Sequence, residues 1–219
     1  TGKHSQKIGL NEIMKEQPEK IIIAPCGFKV YQTMNDINLL TSKPEWKKLN
    51  AVKNNEVYVV DINETGMYDL VEELKQKGYR VGGRVGDIRD INVIEQVLIP
   101  MPHLVINAAA LKHVTPSMDT PREYVQTNVI GTLNILENVA TNTRVVNIST
   151  DKAVQSDNVM GWSKRGTELF TQIYGGVSVR FGNVLNSRGS VLPIWQGQID
   201  RNEPLTVTDK NATRYMMTI

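Results

Sequence analysis

Hydrophobic positions along this chain follow two spacings that alternate over most of its length. Short aliphatic runs come first, Ile21-Ile22-Ile23-Ala24 and then Val57-Tyr58-Val59-Val60, the second ending in Asp61. Compact apolar runs bounded by polar residues suit strands covered on both faces. Further strands are expected at 79–85, 103–107, 144–149 and 177–180. Between them the apolar residues recur every three or four positions, as on one face of a helix. This pattern predicts helices over 30–40 (Val30, Met34, Ile37, Leu40), 67–77, 91–98, 120–140 and 163–174. Pro44 follows the first helix, and Gly78 closes the second. Thr120 can cap the fourth, with Pro121 suited to its first position. Strands separated by helices of this length imply right-handed crossovers and a doubly wound parallel α/β sheet. After Gly182 the pattern becomes irregular, with Pro193 and Pro204. That region reads as the start of a substrate-binding part, and the end at Ile219 reads as a C-terminal truncation.

Composition narrows the classes without choosing among them. The chain has 219 residues, 40% hydrophobic and 22% charged, the profile of an ordinary globular protein. A net charge of +2 gives no argument for nucleic acid or an anionic membrane. No apolar run approaches the roughly 20 residues of a membrane helix. No signal peptide is visible. Thr1 is not a natural start, so a leader or anchor is expected to have been lost. Cys26 is the single cysteine and reads as a small core residue. His4, His103 and His113 lack metal-ligand spacing, so no metal is expected.

The chemistry gathers where one strand ends. The run Val145-Val146-Asn147-Ile148 leads straight into Ser149-Thr150-Asp151-Lys152, and Lys164 follows twelve residues later. Open α/β sheets bind ligands outside the carboxyl ends of their strands. A hydroxyl, a carboxylate and an amine together there can move protons to and from a sugar carbon and its oxygens.

From about Asp61 to Ile219 these residues fall into a series of ordered blocks. They are Gly86-Asp87-Ile88-Arg89-Asp90, Asn107-Ala108-Ala109-Ala110-Leu111-Lys112-His113-Val114 and Thr127-Asn128-Val129-Ile130-Gly131-Thr132, then Ser149-Thr150-Asp151-Lys152-Ala153 and Met160-Gly161-Trp162-Ser163-Lys164. Arg180-Phe181-Gly182-Asn183-Val184, Ser187-Arg188-Gly189-Ser190-Val191 and Thr213-Arg214 complete them. In this order they resemble the extended short-chain dehydrogenase/reductases, and among those the polysaccharide-biosynthesis group of UDP-N-acetylglucosamine 4,6-dehydratases. The resemblance implies a Rossmann-like, NAD(P)-binding domain over 61–219 and a lyase reaction that is internally redox-neutral. Hydride leaves carbon 4 of the sugar, water is lost across carbons 5 and 6, and the hydride returns to carbon 6. It implies Asp151 as the acid, Lys152 as the base and Thr150 as a hydrogen-bond partner of the carbon-4 hydroxyl. Lys164 would bind the cofactor ribose and lower nearby pKa values. Asp61, Asp87, Ile88, Ala108, Ala109, Ala110, Lys112 and Asn128 would hold the cofactor, with NAD slightly favoured over NADP by the charge of Asp61. Asn183, Arg188, Gly189, Ser190 and Arg214 would meet the UDP-sugar, the guanidinium groups matching its phosphates. Most reductases carry tyrosine four residues before the lysine. Here that catalytic position is Met160, as in the long, membrane-anchored dehydratase subgroup.

Residues 1–60 depart from that pattern. The place of the G-x-x-G-x-x-G turn reads Ala24-Pro25-Cys26-Gly27-Phe28-Lys29-Val30, with one glycine, so cofactor binding is expected to be weak or lost. That run, Pro44-Glu45-Trp46 and Asn55-Glu56-Val57-Tyr58-Val59-Val60-Asp61 are similar to the C-terminal lobe of periplasmic cobalamin or iron-chelate solute-binding proteins. The opening segment is therefore expected to be a chimeric strand-helix-strand unit, joined near Asp61, that completes the sheet. Three functions stay open: the dehydratase, a catalytically silent scaffold or UDP-sugar binder, and a solute-binding module. A related 4-epimerase is a within-class alternative, although epimerases normally keep the tyrosine. The expected location is cytoplasmic, with the parent protein anchored by a missing segment. Neither nucleic acid nor membrane is an expected partner of this fragment, whereas a homo-oligomer is, since family members often pack helices side by side.

Overall fold

Six short strands build one sheet: β1 (Ile21–Ala24), β2 (Val57–Asp61), β3 (Val81–Val85), β4 (Leu104–Asn107), β5 (Arg144–Thr150) and β6 (Val177–Phe181). They belong to a computed structural model that describes residues 14–15, 17–18, 21–24, 44, 46–49, 57–79, 81–185, 190–207, 211 and 213–217. Across the sheet the order is β3-β2-β1-β4-β5-β6. β1 pairs in parallel with both β2 and β4, which pair in parallel with β3 and β5. This is the Rossmann order, and the direction of winding reverses between β1 and β4.

The alternation of side chains along each strand sorts them into two cores. Ile21, Ile23, Val57, Val59, Leu104 and Val146 point to one face, against Leu70, Val71 and Leu74 of helix α1 (Glu64–Gln76). Trp46 and Leu49 seal the same core. Ile22, Val60, Val105 and Val145 point to the other face. There they meet Ile94 of α2 (Ile91–Val97) and Ile135 and Leu136 of α5 (Gly131–Asn138). Helices on both faces make the sheet doubly wound, as the apolar pattern predicts.

The helix boundaries follow capping chemistry. α1 begins three residues before the expected 67, because Asn63 accepts a hydrogen bond from the Gly66 N–H at 3.0 Å. It ends at Gly78, whose φ of +85° lets the Tyr79 N–H donate to the Leu74 carbonyl at 3.0 Å. The expected helix over 120–140 is composite. A short helix α3 (Val114–Asp119) precedes it, then α4 (Pro121–Tyr124) passes through a π-helical stretch (Val125–Ile130) into α5. Thr120 does not cap it, because its hydroxyl donates backward to the Pro116 carbonyl at 2.9 Å. α6 (Val159–Ile173) starts before the expected 163, capped by Asn158 on the Gly161 N–H at 2.9 Å. The expected helix over 30–40, Cys26 and the turn 25–30 lie outside the described residues.

Thr1–Arg180 form one compact unit and Phe181–Ile219 a second. β1 and β2 therefore lie within the first unit. In the second unit β7 (Asn183–Val184) pairs with β8 (Met216–Met217), and a ten-residue helix α7 (Val191–Asp200) occupies sequence that looked irregular. No residue of α7 is buried, and Pro193, which read as a break, stands in its first turn, where proline is tolerated.

Leu70 is 1% exposed, between β-strand side chains and the body of α1. Leu70→Ala should lower unfolding free energy by about 2–5 kcal/mol in urea titration. Tyr68→Ala on the same helix, where the ring is 60% exposed, should change it by less than about 0.5 kcal/mol.

Candidate active site

β5 stops at Thr150, and the chain turns at once into a single 3-10 turn, Asp151–Ala153. Thr150 initiates that turn, its Oγ1 accepting the Lys152 N–H at 3.4 Å. The same hydroxyl donates to Asp151 Oδ1 at 3.0 Å. Lys152 Nζ donates to that oxygen at 3.2 Å. Hydroxyl and ammonium thus converge on one carboxylate oxygen, and the acid and amine side chains are both partly exposed. Thr150 and Lys152 are each in direct hydrogen-bond contact with Asp151.

Lys164 reaches the same strand end from α6. Its side chain is 7% exposed and its Nζ donates to the Ile148 carbonyl at 2.7 Å. Met160, one turn earlier, is 2% exposed. Its N–H donates to Ser117 Oγ at 3.2 Å and its carbonyl accepts from Ser163 Oγ at 2.8 Å. A thioether has no proton to give or to carry.

Asp61, Asp87 and the alanines mark the ends of the neighbouring strands. Asp61 is buried at the end of β2, and its Oδ1 accepts the Asn63 N–H at 2.9 Å. Desolvation pushes its pKa up, partly offset by the backbone N–H groups of Asn63 and Ile62. Asp87 follows β3 and accepts from the Arg89 N–H at 2.9 Å and from Arg89 Nε at 2.7 Å. Desolvation opposes ionisation there, but the hydrogen bonds and charge of Arg89 together outweigh it and lower the pKa. Arg89 also bridges to Glu123 at 2.8 Å, and Asn134 donates to the Ile88 carbonyl at 3.0 Å, fixing this loop to α4 and α5. The Ile88 side chain belongs to the second core. Ala108, Ala109 and Ala110 are half-buried beyond β4.

Asn128 sits in the π-helical stretch, almost wholly buried. Its Oδ1 accepts the Leu111 N–H at 2.8 Å, while Nδ2 donates to the Leu111 carbonyl at 3.0 Å and to Ser163 Oγ at 2.8 Å. It therefore clamps the loop that carries Lys112 onto α6. In the second unit the Asn183 N–H donates to the Tyr215 carbonyl at 2.8 Å, and Arg214, exposed, donates to the Thr213 carbonyl at 2.7 Å. Ser190 Oγ is buried without a hydrogen-bond partner among the described residues. Arg188 and Gly189 lie outside those residues.

The fold therefore brings Asp61, Asp87, Ala108–Ala110, Thr150–Lys152 and Lys164 to the carboxyl edge of one sheet. Two groups beneath that edge escaped the sequence reading. Asn107 and Asn147 are register partners on β4 and β5, joined by a hydrogen bond at 3.2 Å, and Asn107 also donates to Thr132 at 3.0 Å. Glu168, one turn past Lys164, is buried and forms an ion pair with the partly exposed Arg180.

Donors and carboxylates thus line the carboxyl edge of a Rossmann-order sheet, the edge at which open α/β sheets take their ligands. The acidic end of β2 and the small residues after β4 are chemically suited to an adenosine ribose and a close-lying cofactor. Over residues 43–219 the chain matches the polysaccharide biosynthesis protein family, and it belongs to that family. The match begins upstream of the expected join at Asp61. An uncharacterised membrane protein of Methanocaldococcus jannaschii is 43% identical over 74% of this chain and 51% of its own length. A probable polysaccharide biosynthesis protein EpsC of Bacillus subtilis is 38% identical over 79% of this chain and 31% of its own. The chain thus spans about half, or less, of these curated relatives. Among solved structures, Pen from Bacillus thuringiensis superimposes with a TM-score of 0.75 and 30% identity, covering 91% of this chain and 62% of Pen. No described helix is long and apolar enough to cross a membrane, and no group of three metal-ligating side chains occurs among the described residues.

The raised pKa of Asp61 has a thermodynamic consequence. The folded chain holds this proton more tightly than the unfolded one, so ionised Asp61 destabilises the fold at pH above its folded pKa. That penalty disappears as pH falls below the unfolded value, near the ordinary 3.8. Asp61→Asn should raise the urea midpoint at pH 7, and the gain should shrink as the titration is repeated towards pH 4.

Proposed function

We propose that this chain is the cofactor-binding and catalytic part of a nucleotide-sugar-modifying enzyme of polysaccharide synthesis. Within that class we assign it as a 4,6-dehydratase acting on UDP-N-acetylglucosamine. The observation that carries the reading is the convergence of Thr150 Oγ1 and Lys152 Nζ on Asp151 Oδ1 at the end of β5. Elimination of water needs one group to take a proton from carbon 5 and another to give one to the carbon-6 hydroxyl. Lys152 takes the first and Asp151 delivers the second, and their contact lets the proton balance be restored between them. Thr150 orients the carbon-4 hydroxyl. Nicotinamide, when bound, supplies hydride acceptance at carbon 4 and return at carbon 6.

Asp61 would accept from the adenosine ribose hydroxyls, and its carboxylate would repel a 2′-phosphate, which favours NAD. Asp87 and the backbone of Ile88 would flank the adenine, and Ala108–Ala110 would leave room for the cofactor above β4. Lys164 would bind the nicotinamide ribose, while Lys112 and Asn128 would shape the loop beside it. Asn183, Arg188, Gly189, Ser190 and Arg214 would hold the UDP moiety. Support comes from a 4,6-dehydratase with the same fold, the dTDP-glucose enzyme of Streptomyces venezuelae with NAD bound, at TM-score 0.73 and 20% identity.

A 4-epimerase is the second reading, favoured by a UDP-glucose 4-epimerase of Rickettsia bellii that is 34% identical over 74% of this chain and 52% of its own length. Mass spectrometry together with proton NMR of UDP-N-acetylglucosamine after incubation with chain and NAD separates the two. Loss of one water supports the dehydratase, an isomer of unchanged mass supports the epimerase, and UDP-sugar binding without turnover leaves a silent binder.

Lys152→Ala should reduce dehydration by roughly 10²- to 10⁴-fold while calorimetry finds UDP affinity unchanged. Equal loss of both would refute the assigned role. Asp61→Asn should weaken NAD binding about tenfold, read by tryptophan quenching. Tightly held NAD co-purifying with the chain would contradict the expected weak cofactor site.

A further inference from the structure

Behind the end of β5 lies a charged cluster that the proton chemistry does not use. Glu168 projects from α6 and is 7% exposed. Its Oε1 accepts from Ser149 Oγ at 2.7 Å and from Arg180 Nε at 2.7 Å. Its Oε2 accepts from Arg180 Nη2 at 2.6 Å and from Arg165 Nη1 at 3.1 Å. Four donors use the full acceptor capacity of a carboxylate. Desolvation alone would raise its pKa, but Arg180, Ser149 and Arg165 together hold it below the ordinary glutamate value. One carboxylate thereby joins β5, α6 and β6.

Buried ion pairs are a weak source of net stability, because desolvation cancels much of the attraction. What this one supplies is geometry. Ser149 is the residue immediately before Thr150, and neighbouring strand side chains point to opposite faces. Holding the Ser149 hydroxyl on the α6 side fixes the face on which Thr150 emerges. Lys164 adds a second tie at the preceding residue, through the Ile148 carbonyl at 2.7 Å. Gly161 adds close contact at the turn itself, since a Cβ there would lie 2.7 Å from the Lys152 carbonyl oxygen. α6 thus grips β5 and its turn at three successive levels, and only glycine permits the closest of them.

We propose that Glu168, locked by Arg180, is a positioning residue: by holding Ser149 it sets the direction in which Thr150, Asp151 and Lys152 leave the strand. The inference rests on the reading of those three residues as the proton-transfer group.

Ser149→Ala in the full chain is the clean test, because it cuts the tie and leaves the Glu168–Arg180 pair intact. Ser149→Thr restores a hydroxyl on a strand-favouring residue. The expected result is amide hydrogen exchange about tenfold faster over residues 150–153 in Ser149→Ala, with an unchanged thermal midpoint. With UDP-N-acetylglucosamine, kcat should fall roughly 10- to 100-fold with KM within about twofold, and Ser149→Thr should recover both exchange and kcat. Unchanged exchange in Ser149→Ala overturns the inference, and so does faster exchange with kcat intact. A wild-type chain that turns over no nucleotide sugar sinks the functional reading instead, and exchange then still decides whether the cluster sets the turn.

Discussion

Parallel pairing of β1 with both β2 and β4 is the constraint on which the remaining architecture depends. Ile21 stands level with Val57 on one side and with Leu104 on the other, and Leu104 stands level with Arg144. Because the strands share one direction and a common register, their carboxyl ends fall along one edge. Asp61, Asn107 and Thr150 reach that edge as a result, although they are far apart in sequence. The same register feeds both cores. A slip of one residue in β1 would turn Ile21 and Ile23 towards the helices that now receive Ile22, and both apolar sets would be lost together.

That edge is built from polar groups that must be satisfied away from water. Asn107 links to Asn147 and Thr132, Thr132 Oγ1 donates to the Asn128 carbonyl at 2.6 Å, and Asn128 in turn holds Leu111 and Ser163. The chain of amides and hydroxyls runs from β5 through β4 to the π-helical stretch and on to α6. Such a network stabilises only when nearly complete, and leaving a member unpaired costs about 1–3 kcal/mol. Within this network Asn147 Nδ2 is the exception, buried with no hydrogen-bond partner among the described residues. The π-helical stretch has a clear local use here: the Asn128 side chain it carries bonds the backbone of the loop after β4.

The strands were legible because they are short, aliphatic and covered on both faces, a pattern that tolerates few other readings. Helix existence was also legible, and helix starts were not. Asn63 and Asn158 lie outside the apolar periodicity, so their capping role shows only once the Gly66 and Gly161 N–H groups are located. Thr120 before Pro121 is a typical start signal, yet its hydroxyl was taken by the helix that precedes it, a competition that local sequence does not reveal. At the site, the adjacency of Thr150, Asp151 and Lys152 is covalent and therefore visible. The pairing of Glu168 with Arg180 depends on α6 and β6 lying side by side, which no spacing rule contains. α7 escaped because Pro193 reads as a break, whereas in the first turn of a helix proline removes no intrahelical hydrogen bond.

The choice between elimination and epimerisation turns on how many independent proton carriers the site provides. Inversion at carbon 4 requires one group that removes the hydroxyl proton and later returns it. Loss of water leaves the ketone at carbon 4, so that proton is removed and not returned, while further transfers take a proton off carbon 5, deliver one to the departing oxygen and put one back on carbon 5 as the hydride returns to carbon 6. Met160 is buried and carries no transferable proton, so the helix position that usually serves the carbon-4 hydroxyl is silent. What remains is an alcohol, an acid and an amine meeting at a single oxygen, more than an inversion needs and the number an elimination needs. The surplus of proton-carrying groups at the end of β5 is therefore the physical ground for preferring the dehydratase over the epimerase.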